Sequence, residues 1–155
     1  MSNIQFEASE NIGGNVRRIF IISYKSAPSI RVTGDIVSNL LSLDNWNLID
    51  FTQDSVSMIQ EPVVILGDTG YKKSIEGFIP KERVVVSTEL LRYHKQRVVV
   101  VVEDRNGVKK VVGNKKRPAI LRFKINNGPK MSDANRYIVN IDQADLDLAP
   151  IYTLE

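Results

Sequence analysis

The chain of 155 residues has no cysteine, a single histidine and a single tryptophan. Without cysteine there is no disulfide framework, no thiolate metal site and no thiol nucleophile. One histidine excludes a metal cluster built on several imidazoles. His94 falls at helical spacing with Leu90 and Leu91, a position that favours a partly buried packing role over that of a general base. No Gly-x-Ser-x-Gly elbow is present. Gly67-Asp68-Thr69-Gly70-Tyr71-Lys72-Lys73 lacks the Walker spacing and leads into a strand pattern, so it reads as a hairpin turn. Glu103 and Asp104 are adjacent in a strand pattern and point to opposite faces, which makes a poor carboxylate dyad. Asp142, Asp145 and Asp147 match no EF-hand spacing and lack its glycine. The expectation is a protein that is not an enzyme, with no cofactor, no metal and no small-molecule substrate.

Long apolar runs are missing too. No stretch approaches the length of a membrane span, and the N-terminal MSNIQFEASE is polar and acidic rather than a signal peptide. The chain is expected to fold in a cytoplasm, without a membrane partner. Its hydrophobic content of 43% and charged content of 25% are ordinary for a globular protein. At this length one domain over 1–155 with a real core is the natural organisation.

The most informative segment present is Arg97 to Gly113, RVVVVVEDRNGVKKVVG. Asn106-Gly107 offers two residues that tolerate positive φ, the requirement of a two-residue type I′ turn. That turn sets Arg105 opposite Val108, Asp104 opposite Lys109, Glu103 opposite Lys110, Val102 opposite Val111 and Val101 opposite Val112. Opposite charges then pair near the tip and valines below it. The five valines Val98 to Val102 suit a strand covered on both faces.

The rest of the chain reads mostly as strands. After a turn at Ile12 to Asn15, Ile19 to Ile22 forms a short strand, and Tyr24 to Arg31 is a loop. Asp35 to Leu43 fits a short helix, and Asn45 to Ile49 begins a strand with Trp46 as a core anchor. Ser55 to Ile59 alternates, Gly67 to Gly70 turns, and Tyr71 to Ile79 continues as a strand that Pro80 ends. In that strand Tyr71, Ile75 and Ile79 share one face, and Lys72, Ser74 and Glu76 the other. Ser87 to Gln96 is the clearest helix, with Ser87 as cap, Glu89 in the first turn and Lys95 in the last. Ala119 to Ile125 and Tyr137 to Ile141 alternate on either side of a polar loop containing Asn126-Asn127-Gly128-Pro129, and the tail from Leu146 to Tyr152 can cover an edge strand. About eight strands and one flanking α-helix predict a mainly β domain, an antiparallel β-sandwich or β-barrel.

Net charge is only +3, but it is unevenly distributed. Nine basic residues and no acid lie between Arg105 and Met131, whereas Asp133 to Glu155 holds five acids against Arg136. Such a dipole suits nucleic acid binding through the basic block, or head-to-tail joining of copies, or a solvated rim. For joining, the candidate interface is Lys109, Lys110, Lys115, Lys116 and Arg117 against Asp142, Asp145 and Asp147.

Several motifs together resemble a family of virion tail proteins from phages and prophages of Bacteroidetes bacteria. They are Asn11-Ile-Gly-Gly-Asn-Val-Arg-Arg-Ile-Phe-Ile21, Gly77-Phe78-Ile79-Pro80-Lys81, Val98 to Gly113 with its Glu-Asp-x-Asn-Gly turn, Asn135-Arg136-Tyr137-Ile138, and Pro150-Ile151-Tyr152. Between Ile141 and Pro150 the chain departs from the pattern, carrying Asp142 to Leu148 where the family has a short strand with a glycine. The resemblance implies a subunit of a tail tube or head–tail connector, a homo-oligomeric ring joined through strand edges, in which the Arg97 to Gly113 hairpin extends a neighbour's sheet. It implies other tail or neck proteins as partners, DNA passing transiently through the channel, and a place in the virion after assembly in the host cytoplasm. The alternative from a different class is a nucleic-acid-binding β-barrel domain using 105–130. Stacking aromatics there are limited to Phe123.

Overall fold

The computed structural model describes residues 16–34, 36–37, 42–128 and 135–152. The expected turn at Ile12 to Asn15 lies outside them, as do Lys130 and Asp133.

The described residues form eleven strands and one helix. In chain order they are β1 (Val16–Ser23), β2 (Val32–Thr33), β3 (Ile36–Val37), β4 (Asn47–Ile49), β5 (Ser57–Ile65), β6 (Asp68–Pro80), α1 (Val84–Lys95), β7 (Val98–Asp104), β8 (Lys109–Val112), β9 (Ile120–Asn126), β10 (Arg136–Asp145) and β11 (Ile151–Tyr152). Seven strands make one sheet in the order β2-β3-β11-β8-β7-β1-β4, and four make another in the order β5-β6-β10-β9. Every pairing is antiparallel except that of β11 with β3. The mainly β class with one helix is therefore as expected. Of the two architectures anticipated, the sandwich is the one found: two sheets share a core and neither closes into a barrel. The expected helix over Asp35 to Leu43 is corrected at Ile36 and Val37, which are β3, while 38–41 lie outside the described residues.

Alternation along β7 explains the two-sided core. Val98, Val100 and Val102 point between the sheets, meeting Ile19 and Ile21 of β1, Ile75 and Ile79 of β6, and Tyr137, Val139 and Ile141 of β10. Val99 and Val101 point the other way, into a cluster with Ile22, Val37, Trp46, Val111 and Tyr152. All five valines are at most 3% exposed, so the strand is covered on both faces. Trp46 is a core residue, as expected.

The hairpin after β7 needs a correction of one residue. Val100 pairs with Val112, Val101 with Val111, Val102 with Lys110 and Glu103 with Lys109. Asp104 therefore faces Val108, donating its N–H to the Val108 carbonyl at 3.0 Å. Three residues, not two, make the loop. Gly107 has φ +80°, but Asn106 is not at positive φ, so the turn is not type I′. Asp104 is the physical reason. Its Oδ1 accepts from the N–H of Asn106 and of Val108, both at 2.9 Å, while its carbonyl accepts from Gly107 N at 3.2 Å. A turn closed on Asp104 and followed by a left-handed glycine is the three-residue hairpin loop.

The two-residue turn lies elsewhere. Ile65 pairs with Asp68, leaving Leu66 (φ 49°) and Gly67 (φ 89°) as the loop, both at positive φ. Asp68, Thr69 and Gly70, expected in the turn, belong to β6. Gly70 is required there by close approach, since a Cβ would lie 2.8 Å from the Asp145 carbonyl oxygen.

Helix α1 starts three residues earlier than Ser87, at Val84, and Ser87 is not its cap. The N-cap residue, Arg83, has no capping side chain of its own. Instead the buried Tyr137 of β10 reaches the helix start: its hydroxyl accepts from Arg83 N–H at 3.1 Å and from Ser87 Oγ at 2.5 Å, and donates to the Arg83 carbonyl. Leu90 and Tyr93 are the helix's buried residues, whereas Leu91 is 46% exposed. His94 is exposed rather than buried on a shared stripe, yet its Nδ1 lies 2.8 Å from the Leu121 carbonyl and its ring packs edge-on to Phe123.

Candidate functional site

The predicted interface residues are placed by two elements and the turns that follow them. Lys109 and Lys110 lie in β8, Lys115, Lys116 and Arg117 in the loop after it, Asp142 and Asp145 in β10, and Asp147 just beyond. Within one chain, several of these charges meet each other. Arg117 Nη1 pairs with Asp145 Oδ1 at 2.6 Å, and Lys109 Nζ lies 4.0 Å from Glu103 Oε2. Asp142 Oδ1 accepts from Ser74 Oγ at 2.9 Å. Lys110, Lys115 and Lys116 form no ion pair among the described residues. The turn residues Asn106 and Gly107 are exposed at the tip, where neighbouring Arg105 pairs with Asp54 at 2.5 Å.

The Arg97 to Gly113 hairpin is not a free edge. β7 lies between β8 and β1, and β8 is covered on its other side by β11. The tail thus covers an edge as expected, and in doing so removes the joining role assigned to this hairpin. Among the described residues the outer strands are β5 and β9 in one sheet, β2 and β4 in the other. His94 already caps an outward carbonyl of β9. Among the described residues β5 has no such cover, and its hairpin with β6 exposes Ile59 at 59%, Val64 at 80% and Leu66 fully.

A second feature escaped the sequence reading of β6. Tyr71, Ile75 and Ile79 do share a face, but Lys73 shares it too and is only 2% exposed. The register places Gln60 of β5 and Gln143 of β10 directly across from it on either side. One apolar row further along, Met58, Ile75 and Ile141 pair in the same way. The inner face of the four-stranded sheet therefore changes from apolar to polar at a single step. Gln60 Oε1 is satisfied by Ala149 N–H at 2.9 Å. Gln143 Nε2 donates to the Arg117 carbonyl at 3.1 Å and to Asp145 Oδ2 at 3.3 Å, and its buried Oε1 has no partner among the described residues. Lys73 has no hydrogen bond and no carboxylate within 4.0 Å among the described residues.

Lys73 and Gln143 lie against a cleft of about 400 Å³, whose rim carries Lys115, Lys116, Asp145 and Asp147. Burial pushes the Lys73 amine below its ordinary value, while the negative charges of Asp145 and, to a lesser degree, Asp147 pull it up. The cleft thus joins predicted interface residues of both signs to two buried polar groups that alternation had the means to reveal. No three His, Cys, Asp or Glu residues among those described come together as a metal site. Comparison with known protein families, curated proteins and solved structures finds no match to this chain.

Proposed function

We propose that the chain is a structural subunit of a phage virion tail, forming a ring of the tail tube or of the head–tail connector, and that it performs no catalysis. The reading rests on the sequence motifs above. The observation that supports it most is the open edge of β5, a nine-residue strand in a hairpin that exposes Val64 and Leu66. An edge of that length, unpaired among the described residues and apolar at Ile59 and Val64 though interrupted by Glu61 and Pro62, is a liability for a monomer and an asset for a subunit that adds its strand to a neighbour's sheet. A head-to-tail contact of this type closes into a ring when the rotation allows. In this arrangement the joining hairpin is β5–β6, and Lys110, Lys115 and Lys116 supply charge for a neighbour's acidic surface. DNA passes through the ring without being gripped, because each fixed phosphate contact would have to break during passage.

Light scattering with negative-stain microscopy on purified protein tests the proposal. Rings or short tubes are expected, and Val64→Asp is expected to dissolve them. A monomer at every concentration overturns the proposal. Tight binding of the isolated protein to DNA with a steep salt dependence also overturns it, in favour of a nucleic-acid-binding domain centred on 105–130.

A further inference from the structure

The cleft beside Lys73 holds two buried groups whose needs are complementary. A lysine ammonium is a donor only, and the Gln143 Oε1 is an acceptor only. Among the described residues neither has a hydrogen-bond partner: Gln143 Oε1 is a fully buried atom, and Lys73, 2% exposed as a residue, lines the cleft. The orientation of the Gln143 amide is set by its own contacts, since Nε2 faces two acceptors and a reversed amide would set an oxygen against both. Leaving such groups unmatched is costly, so their joint presence at one cleft asks for an occupant that accepts at one point and donates at the next.

We propose that this cleft binds a small organic carboxylate that carries a hydroxyl beside the carboxylate, with Lys73 donating to the carboxylate and Gln143 Oε1 accepting from the hydroxyl. Charge favours one negative group over two. Lys115 and Lys116 at the rim attract an anion, while Asp145 and Asp147 oppose a dianion such as a phosphate monoester. Ile30, Val32 and Leu148 in the cleft wall give room for an apolar tail on the ligand. An anion seated there also keeps the Lys73 amine charged against the effect of its burial. This site is independent of the assembly reading and stands or falls on binding to the purified protein, whatever its oligomeric state.

The test is a calorimetric titration with two probes, 2-hydroxy-4-methylpentanoate and 4-methylpentanoate, which differ only by the hydroxyl. The wild-type protein should bind the hydroxy acid about fivefold more tightly than its partner, the value of one neutral hydrogen bond. Lys73→Met should weaken both probes by about tenfold or more, because it removes a charged donor. Gln143→Met should leave the carboxylate contact and erase the difference between the probes. Circular dichroism melts establish that each variant is folded, and Lys73→Met carries an apolar side chain of similar length. No binding to the wild-type protein overturns the proposal, and so does equal binding to wild type and Lys73→Met. A crystal soaked with the hydroxy acid that shows only water between Lys73 and Gln143 overturns it as well.

Discussion

The two long hairpins of this protein turn differently, one through three residues and one through two, and have opposite surroundings. The β7–β8 hairpin lies inside a seven-stranded sheet, with β1 on one side and β11 on the other, and its valines are buried on both faces. The β5–β6 hairpin has one strand at the border of its sheet and an apolar tip in solvent. Sequence makes the difference in each case. An unbroken β-branched run has no polar face to turn outward, so it must be covered twice. β5 alternates, with Met58, Gln60 and Pro62 facing Ile75, Lys73 and Tyr71 and Ile59 turned outward, while Val64 is exposed near the tip of the hairpin. The first hairpin holds the fold together, and the second is the one we propose to join a neighbouring copy.

The largest effects should separate those two roles. Val100→Asp places a charge where exposure is 0%, and should cost more than about 4 kcal/mol in urea unfolding. Val64→Asp, at 80% exposure, should stay within about 0.5 kcal/mol of the parent in the same experiment while abolishing assembly. Equal losses of stability at both positions would break the comparison, because β5–β6 would then be a structural hairpin too.

Lys73 is the inward exception on the exposed hairpin, and its replacement should change stability in the opposite direction. Without an ion pair among the described residues its burial is a cost, and Lys73→Met should raise the unfolding free energy by about 1–3 kcal/mol. The pH dependence has a definite sign. The folded-state value lies below the ordinary 10.5, so between the two the unfolded chain binds more protons. The penalty is complete below the folded-state value and fades as pH rises toward 10.5, so the advantage of Lys73→Met should shrink over that window. Denaturant midpoints of both proteins at several alkaline pH values measure it, and a constant difference would show that Lys73 is not desolvated.

Smaller effects are expected at the β7–β8 tip. Gly107→Val forces a β-branched residue to φ +80° and should cost about 1 kcal/mol or more. Asp104→Ala removes the acceptor of two backbone N–H groups and should cost about 1 kcal/mol as well. Were Asp104→Ala neutral, the carboxylate would not be what selects the three-residue loop.

The parts legible in the sequence were those governed by local periodicity. Val98 to Val102 announced a doubly covered strand, and Trp46 a core position, because side-chain type alone carries that information. The hairpin register was missed by one residue because Asn106-Gly107 suggests a turn on its own, whereas a carboxylate two residues earlier captures the backbone first. The cap of α1 was illegible for another reason: Tyr137 supplies it from 50 residues away in sequence. The Arg117–Asp145 ion pair within one chain was illegible likewise, since only the register of β10 and the loop after β8 brings the two together. Lys73 was within reach. It stands at the apolar parity of Tyr71, Ile75 and Ile79, and a charged residue there is the signal of a polar place inside the sandwich.

The smallest expected effect bears most directly on what the exposed hairpin is for. Leu66 occupies the first position of a two-residue turn at φ 49° and is fully exposed. A leucine there is unfavourable in an isolated chain through its backbone conformation, and its full exposure brings no burial to offset that cost. Leu66→Asn restores the Asn-Gly pair such a turn prefers and removes no packing, so the isolated subunit should gain about 0.5 kcal/mol or more. If Leu66 is retained for contact with a neighbouring copy, the same substitution should weaken assembly while it strengthens the fold. Opposite signs in the denaturant midpoint and in the concentration for half-assembly are therefore the expected result. A variant that is stabilised and assembles as before would place the joining contact elsewhere on β5, and one that is stabilised but was never an oligomer would leave the β5 edge without the role proposed for it.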